Sequence, residues 1–354
     1  MQTKSIFKTF TITLLAVVLS FAVKAGHEND HSSKGETEKV DLKSKIKEDI
    51  AHHLLDSYDF HLFTDETTGT HYGFPLPVIL WDEGLNVFMS SAFHHGEKVV
   101  ESNGNFYSLH HNKVYKTDSE GALTDVVPMD FSITKNVFMI FMICLIMFLM
   151  FSRMAKSYAK RGGYLPTGMG RLLEPLVLFI RDDIAIPNIG KKHYKRYMSY
   201  LLTVFFFVWI VNLFGLTPLG VNVTNNIAVT VCLALLTYVI TTFSAKKDYW
   251  KHIFWMPGVP VPMKIVLAPI ELLGTIIKPF SLMIRLYANI TAGHIVIMSI
   301  IAMMFTATNW LGSSLPFGLA FVLGILELLV AALQAYIFTM LSALYFGSAV
   351  EEAH

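Results

Sequence analysis

Charged residues are scarce in this chain, and long apolar runs take up much of its length. Only 16% of the 354 residues are Asp, Glu, Lys or Arg, whereas 53% are hydrophobic. Soluble domains carry about 25% charged residues, so this composition is typical of a membrane protein with several spans. The formal net charge of +1 also argues against the basic surface that nucleic-acid binding needs. We therefore expect a lipid bilayer, and no nucleic acid, as a partner.

Cysteine is scarcer still, with only two residues, Cys144 and Cys232. Both lie in apolar runs, so we predict that they are small core hydrophobes and form no disulfide. No glycine-rich phosphate-binding loop is present, which argues against nucleotide binding by this chain. No apolar run contains the His-Glu-x-x-His pattern of a zinc protease; its one match, at residues 27–31, lies in a charged stretch. We expect no cofactor, no bound metal and no catalytic residue.

The beginning of the chain has the pattern of a secretory signal peptide. Residues 1–25 contain two lysines, an apolar core, and small residues before a cut after Ala25. The core is too short for a comfortable span, and a retained signal anchor is the alternative. Either outcome predicts that residues 26–130 are exported. Residues 26–49 are charged and without periodicity, as in a flexible linker. A helix at residues 40–55 is the alternative for its last part.

The exported region is predicted to be small and partly β. Three stretches rich in aromatic and β-branched residues predict strands, at 72–81, 85–90 and 106–117. The four residues 102–105, Ser-Asn-Gly-Asn, predict a hairpin turn between strands.

Histidine is concentrated in the same region, where ten of the fourteen lie between His27 and His111. Imidazole suits zinc and copper, but no spacing here matches a defined metal site and no cysteine is nearby. Surface histidine on an exported domain is therefore the favoured interpretation, ahead of a metal site or of proton buffering near a channel mouth.

Residues 131–350 are predicted to form an all-α polytopic membrane domain. Three ordinary spans are expected, at 131–151, 197–216 and 227–243, and an amphipathic helix at 170–186, kinked or started near Pro175, lies on the cytoplasmic surface. Lysine and arginine clusters lie at the same side of each span, which places that side in the cytoplasm of a bacterial inner membrane. The tail, residues 351–354, is then cytoplasmic.

The last apolar stretch is too long for ordinary spans. As one helix, residues 263–306 would extend about 66 Å, twice the ~30 Å thickness of a bilayer core. Two spans would need a cytoplasmic turn near Asn309, where no lysine or arginine occurs. We therefore favour one long tilted helix bent near Pro279, a turn at 309–316, and a second long helix that ends at Gly347.

Polar residues in these two helices are few and regularly spaced. A charge near the bilayer centre costs about 3 kcal/mol, so it usually faces protein or water and marks an ion path. Intramembrane hydrogen bonding is the simpler alternative for any one of them. At about 100° per residue, His294 lies opposite Arg285 on its helix, and Glu327 and Gln334 share a stripe on the next helix. A further stripe contains four residues: Glu271, Lys278, Arg285 and Asn289.

These residues resemble the last two membrane helices of subunit a of the F-type ATP synthase, the stator part of its proton channel. The family pattern is arginine, a hydrophobic residue, an aromatic residue, a small residue and asparagine, which matches 285–289, Arg-Leu-Tyr-Ala-Asn, with a glutamine on the next helix at Gln334. The resemblance covers about residues 130–350. Many bacterial members carry glutamate at the position of His294 and histidine at that of Glu327, so this pair is exchanged here, as in mitochondrial members.

The resemblance implies a rotor ring of small hairpin subunits, each with a buried carboxylate, and a peripheral stalk subunit as partners. Arg285 would act on the ring carboxylates, Asn289 belongs to the same ion-translocating motif, and the inner half-channel would open past Glu271. Four residues would pass ions along the outer half-channel: Asn226, His294, Glu327 and Gln334. The motif fits H⁺ and Na⁺ alike, because the rotor carboxylate and its neighbours largely set ion coordination.

Other classes of function stay open as alternatives. A secondary ion transporter would show two halves with corresponding interrupted helices, and no such repeat is present in the sequence. A structural anchor gives no reason for Arg285. The favoured prediction is a non-catalytic, ion-translocating stator subunit of a rotary ATP synthase.

Overall fold

The computed structural model describes residues 56–65, 70–96, 98–110, 113–118, 121–124, 126–160, 168–217, 223–255, 258–306 and 310–351. All of these residues belong to one compact unit, Ile50–His354. The predicted signal peptide, the charged linker and the suggested helix at 40–55 lie outside the described residues.

Short antiparallel strands form the region before the membrane helices. In chain order they are β1 (Asp59–Asp65), β2 (Thr70–Pro75), β3 (Pro77–Trp81), β4 (Leu85–Met89), β5 (Val100–Ser102), β6 (Asn105–His110), β7 (Lys113–Thr117) and β8 (Met129–Asp130). β1 pairs with β2, β3 lies between β4 and β8, and β6 lies between β5 and β7. A 3₁₀ turn, Ser90–Gly96, follows β4.

The strand predictions are right in type and wrong in two boundaries. The turn between β5 and β6 is confirmed, with positive φ at Asn103 (52°) and Gly104 (82°), as a two-residue type I′ hairpin requires. The stretch 72–81 is two strands in different sheets, because the chain turns at Leu76, whose N–H donates to the Tyr58 carbonyl at 3.3 Å. The stretch 106–117 is a hairpin in which His110 lies opposite Lys113.

The β region has its own core between its sheets. Its buried members are Tyr58, Val78, Leu80, Phe93, Val100, Tyr107 and Val114. The Tyr107 hydroxyl donates to the Asp82 carboxylate at 3.2 Å, and Lys116 pairs with the same carboxylate at 2.9 Å. Burial, together with Asp82, raises the pKa of Tyr107 to about 12. Tyr107, Asp82 and Lys116 thus form a polar cluster at one edge of the core.

Helices make up the described chain after β8. They are α1 (Lys135–Lys160), α2 (Met169–Phe179), α3 (Ile186–Ile189), α4 (Tyr194–Gly215), α5 (Ile227–Ser244), α6 (Lys247–Phe254), α7 (Val261–Thr306) and α8 (Trp310–Val350). Among the described residues, five helices are long and apolar enough to cross a membrane, namely α1, α4, α5, α7 and α8. The protein is therefore mostly helical, in agreement with the predicted polytopic membrane protein.

The first membrane helix begins later than predicted. The span was placed at 131–151, but the N–H of Phe131 donates to the Ile79 carbonyl at 2.9 Å, and the N–H of Ile133 donates to the Pro77 carbonyl at 3.1 Å. These residues therefore continue the pairing with β3, and α1 starts at Lys135.

The predicted amphipathic helix at 170–186 is helical but does not start at Pro175. α2 starts at Met169 and contains Pro175 in its second turn. Proline has no N–H, so the carbonyl of Arg171, four residues earlier, loses its helical hydrogen-bond donor. Arg171 is exposed and lies near the helix start. A π-helical turn, Ile180–Ala185, joins α2 to α3, and its apolar side is buried. Arg181 and Asp182 on the other side form an exposed ion pair at 2.8 Å.

The two long helices are continuous. α7 contains Pro269 and Pro279, and α8 contains Pro316. The turn predicted at 309–316 is therefore too long, because α8 already begins at Trp310 and one proline removes only a single helical hydrogen bond. The prediction that Cys144 and Cys232 are core residues is also wrong: both are exposed, since each lies on the outward side of its helix, where a bilayer favours an apolar side chain. Both are free, so the structure forms no disulfide between them.

The helices pack around α4, half of whose span is buried. Its core residues include Leu201, Phe206 and Val208, and Tyr197 stacks on Phe346 of α8 at 4.7 Å between ring centroids. α8 also lies directly against α3: a Cβ at Gly347 would be 1.9 Å from the carbonyl oxygen of Asn188. Only glycine allows this close approach of the two backbones.

Candidate functional site

The two long helices are linked near the middle of each by an amide pair, in which Gln334 is buried and Asn289 is exposed. The Nδ2 of Asn289 on α7 donates to the Oε1 of Gln334 on α8 at 3.2 Å. Gln334 is 1% exposed, and its Nε2 has no hydrogen-bond partner among the described residues. A buried donor of this kind is costly unless something accepts from it. The pair thus places one unused donor next to the Arg285 stripe.

A second contact brings together the other predicted residues of these helices. Glu327 on α8 lies against Gly293 on α7, so that a Cβ at position 293 would be 1.8 Å from Oε1. His294 is the next residue along α7 and is partly buried, as is Glu327. The contact therefore places Glu327 beside the backbone that carries His294, and glycine at 293 makes room for the carboxylate.

Arg285 lies one turn before Asn289 on α7. The leucines at 282 and 286 are fully buried, whereas Arg285 itself is partly exposed. The ion pairs found among the described residues do not include Arg285. An intramembrane cation without a counter-charge is unfavourable. Arg285 is thus a partly exposed cation that has no ion pair in the part of the chain that the structure describes.

Asn226 has a structural role in the described contacts. It is the N-cap of α5, and its Oδ1 accepts from the N–H of Ala228 at 3.0 Å. Its neighbour Asn225 instead contacts α7, because the Thr291 hydroxyl donates to Oδ1 of Asn225 at 2.5 Å. The sequence analysis did not identify Asn225 or Thr291. Thr291 is six residues after Arg285 and therefore lies outside its stripe.

Asn225 is the last residue of a 3₁₀ turn, Val223–Asn225, which contacts the end of α4. The hydroxyl of Thr224 donates to Oδ1 of Asn212 at 3.2 Å, and both residues are buried. The Nδ2 of Asn212 has no partner among the described residues. Asn212 was also missed, although an amide in an otherwise apolar span is a signal that could have identified it. Polar groups thus extend from the end of α4 to α7.

Glu271 lies away from these contacts, fourteen residues before Arg285, or about 21 Å along the helix. Between them is a small cavity lined by hydroxyl groups and Lys278; its residues are Tyr238, Thr241, Tyr249, Thr275, Lys278, Pro279, Tyr345 and Ser348. The Lys278 ammonium lies 5.9 Å from the centre of the Tyr345 ring. Burial raises the pKa of Tyr249, and Tyr238 and the Glu271 carboxylate add to this rise. Glu271 itself does not line the cavity but lies one helical turn before Thr275, which does.

No metal centre is formed by the described residues, since no three His, Cys, Asp or Glu side chains among them are placed to hold an ion. The site is instead a set of amide, hydroxyl and ionisable groups along α7. The structure brings together Asn289 with Gln334, and Glu327 with the residue before His294. Among the described residues, no hydrogen bond joins Asn226 or Glu271 to either pair.

Comparison with known proteins identifies the family of this chain. A protein-family model described as ATP synthase A chain matches residues 137–347, and one described as a domain of unknown function matches residues 49–131. Subunit a 2 of the ATP synthase of Chlorobaculum tepidum is 44% identical over 234 residues, 64% of this chain and 65% of that protein. Subunit a of Pelodictyon phaeoclathratiforme is 44% identical over 239 residues, 65% and 69% of the two chains.

A relative of lower identity gives a similar result. Subunit a of the Myxococcus xanthus ATP synthase is 40% identical over 232 residues, 64% of this chain and 75% of that protein. The chain thus spans slightly less than two thirds of the Chlorobaculum relative and somewhat more of the other two. Since the family model matches more than half of its length, this chain belongs to the ATP synthase A chain family.

Proposed function

We propose that this chain is the stator subunit of a rotary ATP synthase, which forms two ion half-channels against a rotor ring and couples proton flow to rotation. The observation that carries the proposal is the position of Arg285. It is a partly exposed cation on a 46-residue apolar helix, and it lies next to the amide pair of Asn289 and Gln334. The chain itself makes no bond to nucleotide, so catalysis belongs to other subunits.

Arg285 would act on carboxylates of the ring. A carboxyl group enters lipid only in its neutral, protonated form, and a nearby fixed cation favours the ionised carboxylate. Each rotor carboxylate would therefore release its proton as it passes Arg285. Because guanidinium does not deprotonate in practice, Arg285 would also prevent protons from passing directly between the half-channels. About 2.3 kcal/mol per charge per 100 mV is then available for rotation.

The outer half-channel would follow the polar groups around the second half of α7. Gln334, Glu327 and His294 lie along this part of the helix pair, and the contact between Thr291 and Asn225 joins it to the turn before α5. Asn226 would contribute indirectly, by capping α5 and fixing that turn. Amide and hydroxyl groups can relay a proton through water, and the unused Nε2 of Gln334 offers such water a donor.

The inner half-channel would follow the cavity between Glu271 and Arg285. Its hydroxyl groups can hold water, which needs two to four polar partners. Lys278 would discourage other cations without blocking protons that move through hydrogen bonds. Glu271 would mark the mouth, where its carboxylate attracts cations from the solvent.

The proposal includes an orientation. Residues 1–25 would be removed, and residues 26–130 would lie outside the cytoplasm. Residues 131–350 would form the channel domain in a bacterial inner membrane, with α7 and α8 strongly tilted. Residues 351–354 would lie in the cytoplasm. A rotor ring and a peripheral stalk would contact the channel domain. Protease added to intact spheroplasts should then trim the first part and spare residues 161–167. Protection of the first part would contradict this orientation.

The function is tested by Arg285→Ala and Arg285→Lys in inverted membrane vesicles. Both variants should abolish ATP-driven proton pumping and proton-driven ATP synthesis, while the complex still assembles, because Arg285 is not part of a packed core. Lysine should fail because its compact ammonium lacks the planar, permanently charged guanidinium. ATP synthesis that persists in Arg285→Ala would overturn the proposal and favour a secondary ion transporter.

A further inference from the structure

The sheet of β4, β3 and β8 is apolar on both sides, although only one side is buried. Val78 and Leu80 of β3 point into the core and are fully buried. The alternate residues point away from it, and six apolar side chains there are 46–67% exposed: Trp81, Leu85, Val87, Met89, Met129 and Phe131. We call these six residues the outer sheet face.

The outer sheet face is continuous across its three strands. Trp81 of β3 lies opposite Leu85 of β4 and also opposite Met129 of β8. Cross-strand partners on one side of a sheet lie within about 5.5 Å of each other, and the other three members follow at every second position along β4 and β8. Single exposed hydrophobic residues are ordinary, but a continuous group of this kind marks a contact surface.

The outer sheet face ends directly before the first candidate membrane helix. The N–H groups of Phe131 and Ile133 donate to carbonyls of β3 at 2.9 and 3.1 Å, and the N–H of Lys135, the first residue of α1, donates to the carbonyl of Ser57 at 2.9 Å. Alternate amides from the sheet to the helix are thus hydrogen-bonded to the β region. No free linker lies between the sheet and α1.

Aromatic contacts fix the β region to the same helix end. The ring of Phe138, in the first turn of α1, lies edge-on to Phe60 and Phe74 at 5.6 and 5.3 Å between centroids. If α1 crosses the bilayer, the β region must lie at its surface. The polar layer of a bilayer adds roughly 5 to 7 Å on each side of the hydrocarbon core, and tryptophan accumulates there.

We propose that the outer sheet face lies on the lipid surface beside α1, with its six side chains in the interfacial layer. Lipid is favoured over a protein partner because Phe131 of the face lies only four residues before α1, whose Phe141, Leu145 and Phe148 are 57–69% exposed. The matched domain of unknown function would then be a membrane-surface module that holds the start of α1 in place.

The test uses the full chain in vesicles of phosphatidylcholine and phosphatidylglycerol, with Cys144→Ala and Cys232→Ala as background. A fluorescent label is attached at Val87→Cys or Met129→Cys, and at Lys113→Cys as an exposed control on β7. Brominated lipid should remove most of the fluorescence at the first two positions and little at the third, and aqueous iodide should give the reverse order.

Two results would overturn the proposal. Quenching by iodide at Val87→Cys and Met129→Cys as strong as at the control means that the face is in water. Protection of both labels from lipid and from iodide means that protein covers the face, whether a second copy, another subunit or another segment of this chain. Two label positions are used so that a folding defect in one variant does not decide the outcome, and ion transport plays no part in the measurement.

Discussion

The carboxylate of Glu327 lies so close to Gly293 that a methyl group at Gly293 would be 1.8 Å from Oε1 and 2.9 Å from the carboxyl carbon. The atoms it would meet are the far end of a flexible side chain. Any residue larger than glycine at 293 must therefore move the carboxylate, whereas the helices themselves need not move. A substitution at Gly293 should therefore change the position of the Glu327 carboxylate without lowering the stability of the fold.

The first prediction is that Gly293→Ala lowers proton pumping severalfold in inverted vesicles while the amount of assembled complex stays normal. The displaced carboxylate can no longer occupy its place beside α7. Glu327→Asp is one methylene shorter, so adding it to Gly293→Ala should restore part of the rate. Gly318→Ala on α8, where no atom lies within 4 Å of the new Cβ, is the control. Normal pumping by Gly293→Ala would show that the place of the carboxylate is unimportant.

The second prediction concerns a glycine with a backbone neighbour. At Gly347 a Cβ would be 1.9 Å from the carbonyl oxygen of Asn188 and 3.0 Å from its carbon. Backbone cannot rotate away, so Gly347→Ala should force α8 and α3 apart and reduce the amount of assembled subunit on immunoblots of membranes. Gly318→Ala again serves as control. Normal assembly of Gly347→Ala would mean that the two elements separate at little cost.

The structure explains why the sequence predicted the helices better than the contacts between them. Apolar length and the absence of lysine and arginine near Asn309 were enough to predict one continuous helix at α7, because these are local properties. Pro316 was taken as a helix limit, but one lost hydrogen bond is a small term in a 41-residue helix. The two cysteines were assigned to the core because the outside of a membrane helix is as apolar as its inside.

Contacts between distant residues were not predictable from the pattern. Thr291 and Asn225 are 66 residues apart, and neither belongs to the stripe that led to Arg285. The pairing of residues 129–133 with β3 was likewise missed, although residues 131–134, Phe-Ser-Ile-Thr, alternate apolar and polar side chains as a strand does. Asn289 and Gln334, in contrast, were both named from their spacing along α7 and α8, and the structure places them in contact.

The third prediction tests that contact by a double-mutant cycle. Asn289→Leu leaves the side-chain oxygen of the buried Gln334 without its donor, which costs about 1–3 kcal/mol, whereas Gln334→Leu removes the acceptor of the exposed Asn289 and costs less. Replacing both should therefore cost less than the sum of the single changes. Proton pumping and the thermal stability of the purified complex are measured for the four proteins. Strict additivity in both measurements would show that the amides act independently.

The fourth prediction is that Thr291→Val, which keeps the shape and removes the hydroxyl donor, slows proton pumping. Without the hydrogen bond to Asn225, α7 loses a link to the turn before α5. Asn225→Asp keeps an acceptor and should be milder than Asn225→Leu. Ser299→Ala, whose hydroxyl donates only within its own helix at 2.7 Å, is the matched control on α7. A rate for Thr291→Val equal to that of the control would remove this contact from the proposed outer half-channel.

The last prediction concerns the exchanged pair, His294 and Glu327. Proton transfer needs a base whose pKa lies near neutrality, and an imidazole beside a carboxylate can supply one. His294→Ala or Glu327→Ala should therefore slow proton pumping substantially. The exchange of both, His294→Glu with Glu327→His, should recover part of the loss, because the two groups are retained on opposite helices.

Recovery is the informative result, since two disruptive changes in a packing role should add. The contact between Glu327 and Gly293 makes the exchange demanding, because an imidazole at 327 must fit where a slimmer carboxylate now lies. If the exchanged variant pumps no better than the worse single variant in inverted vesicles, a relay between these two residues should be abandoned, while the role proposed for Arg285 does not depend on it.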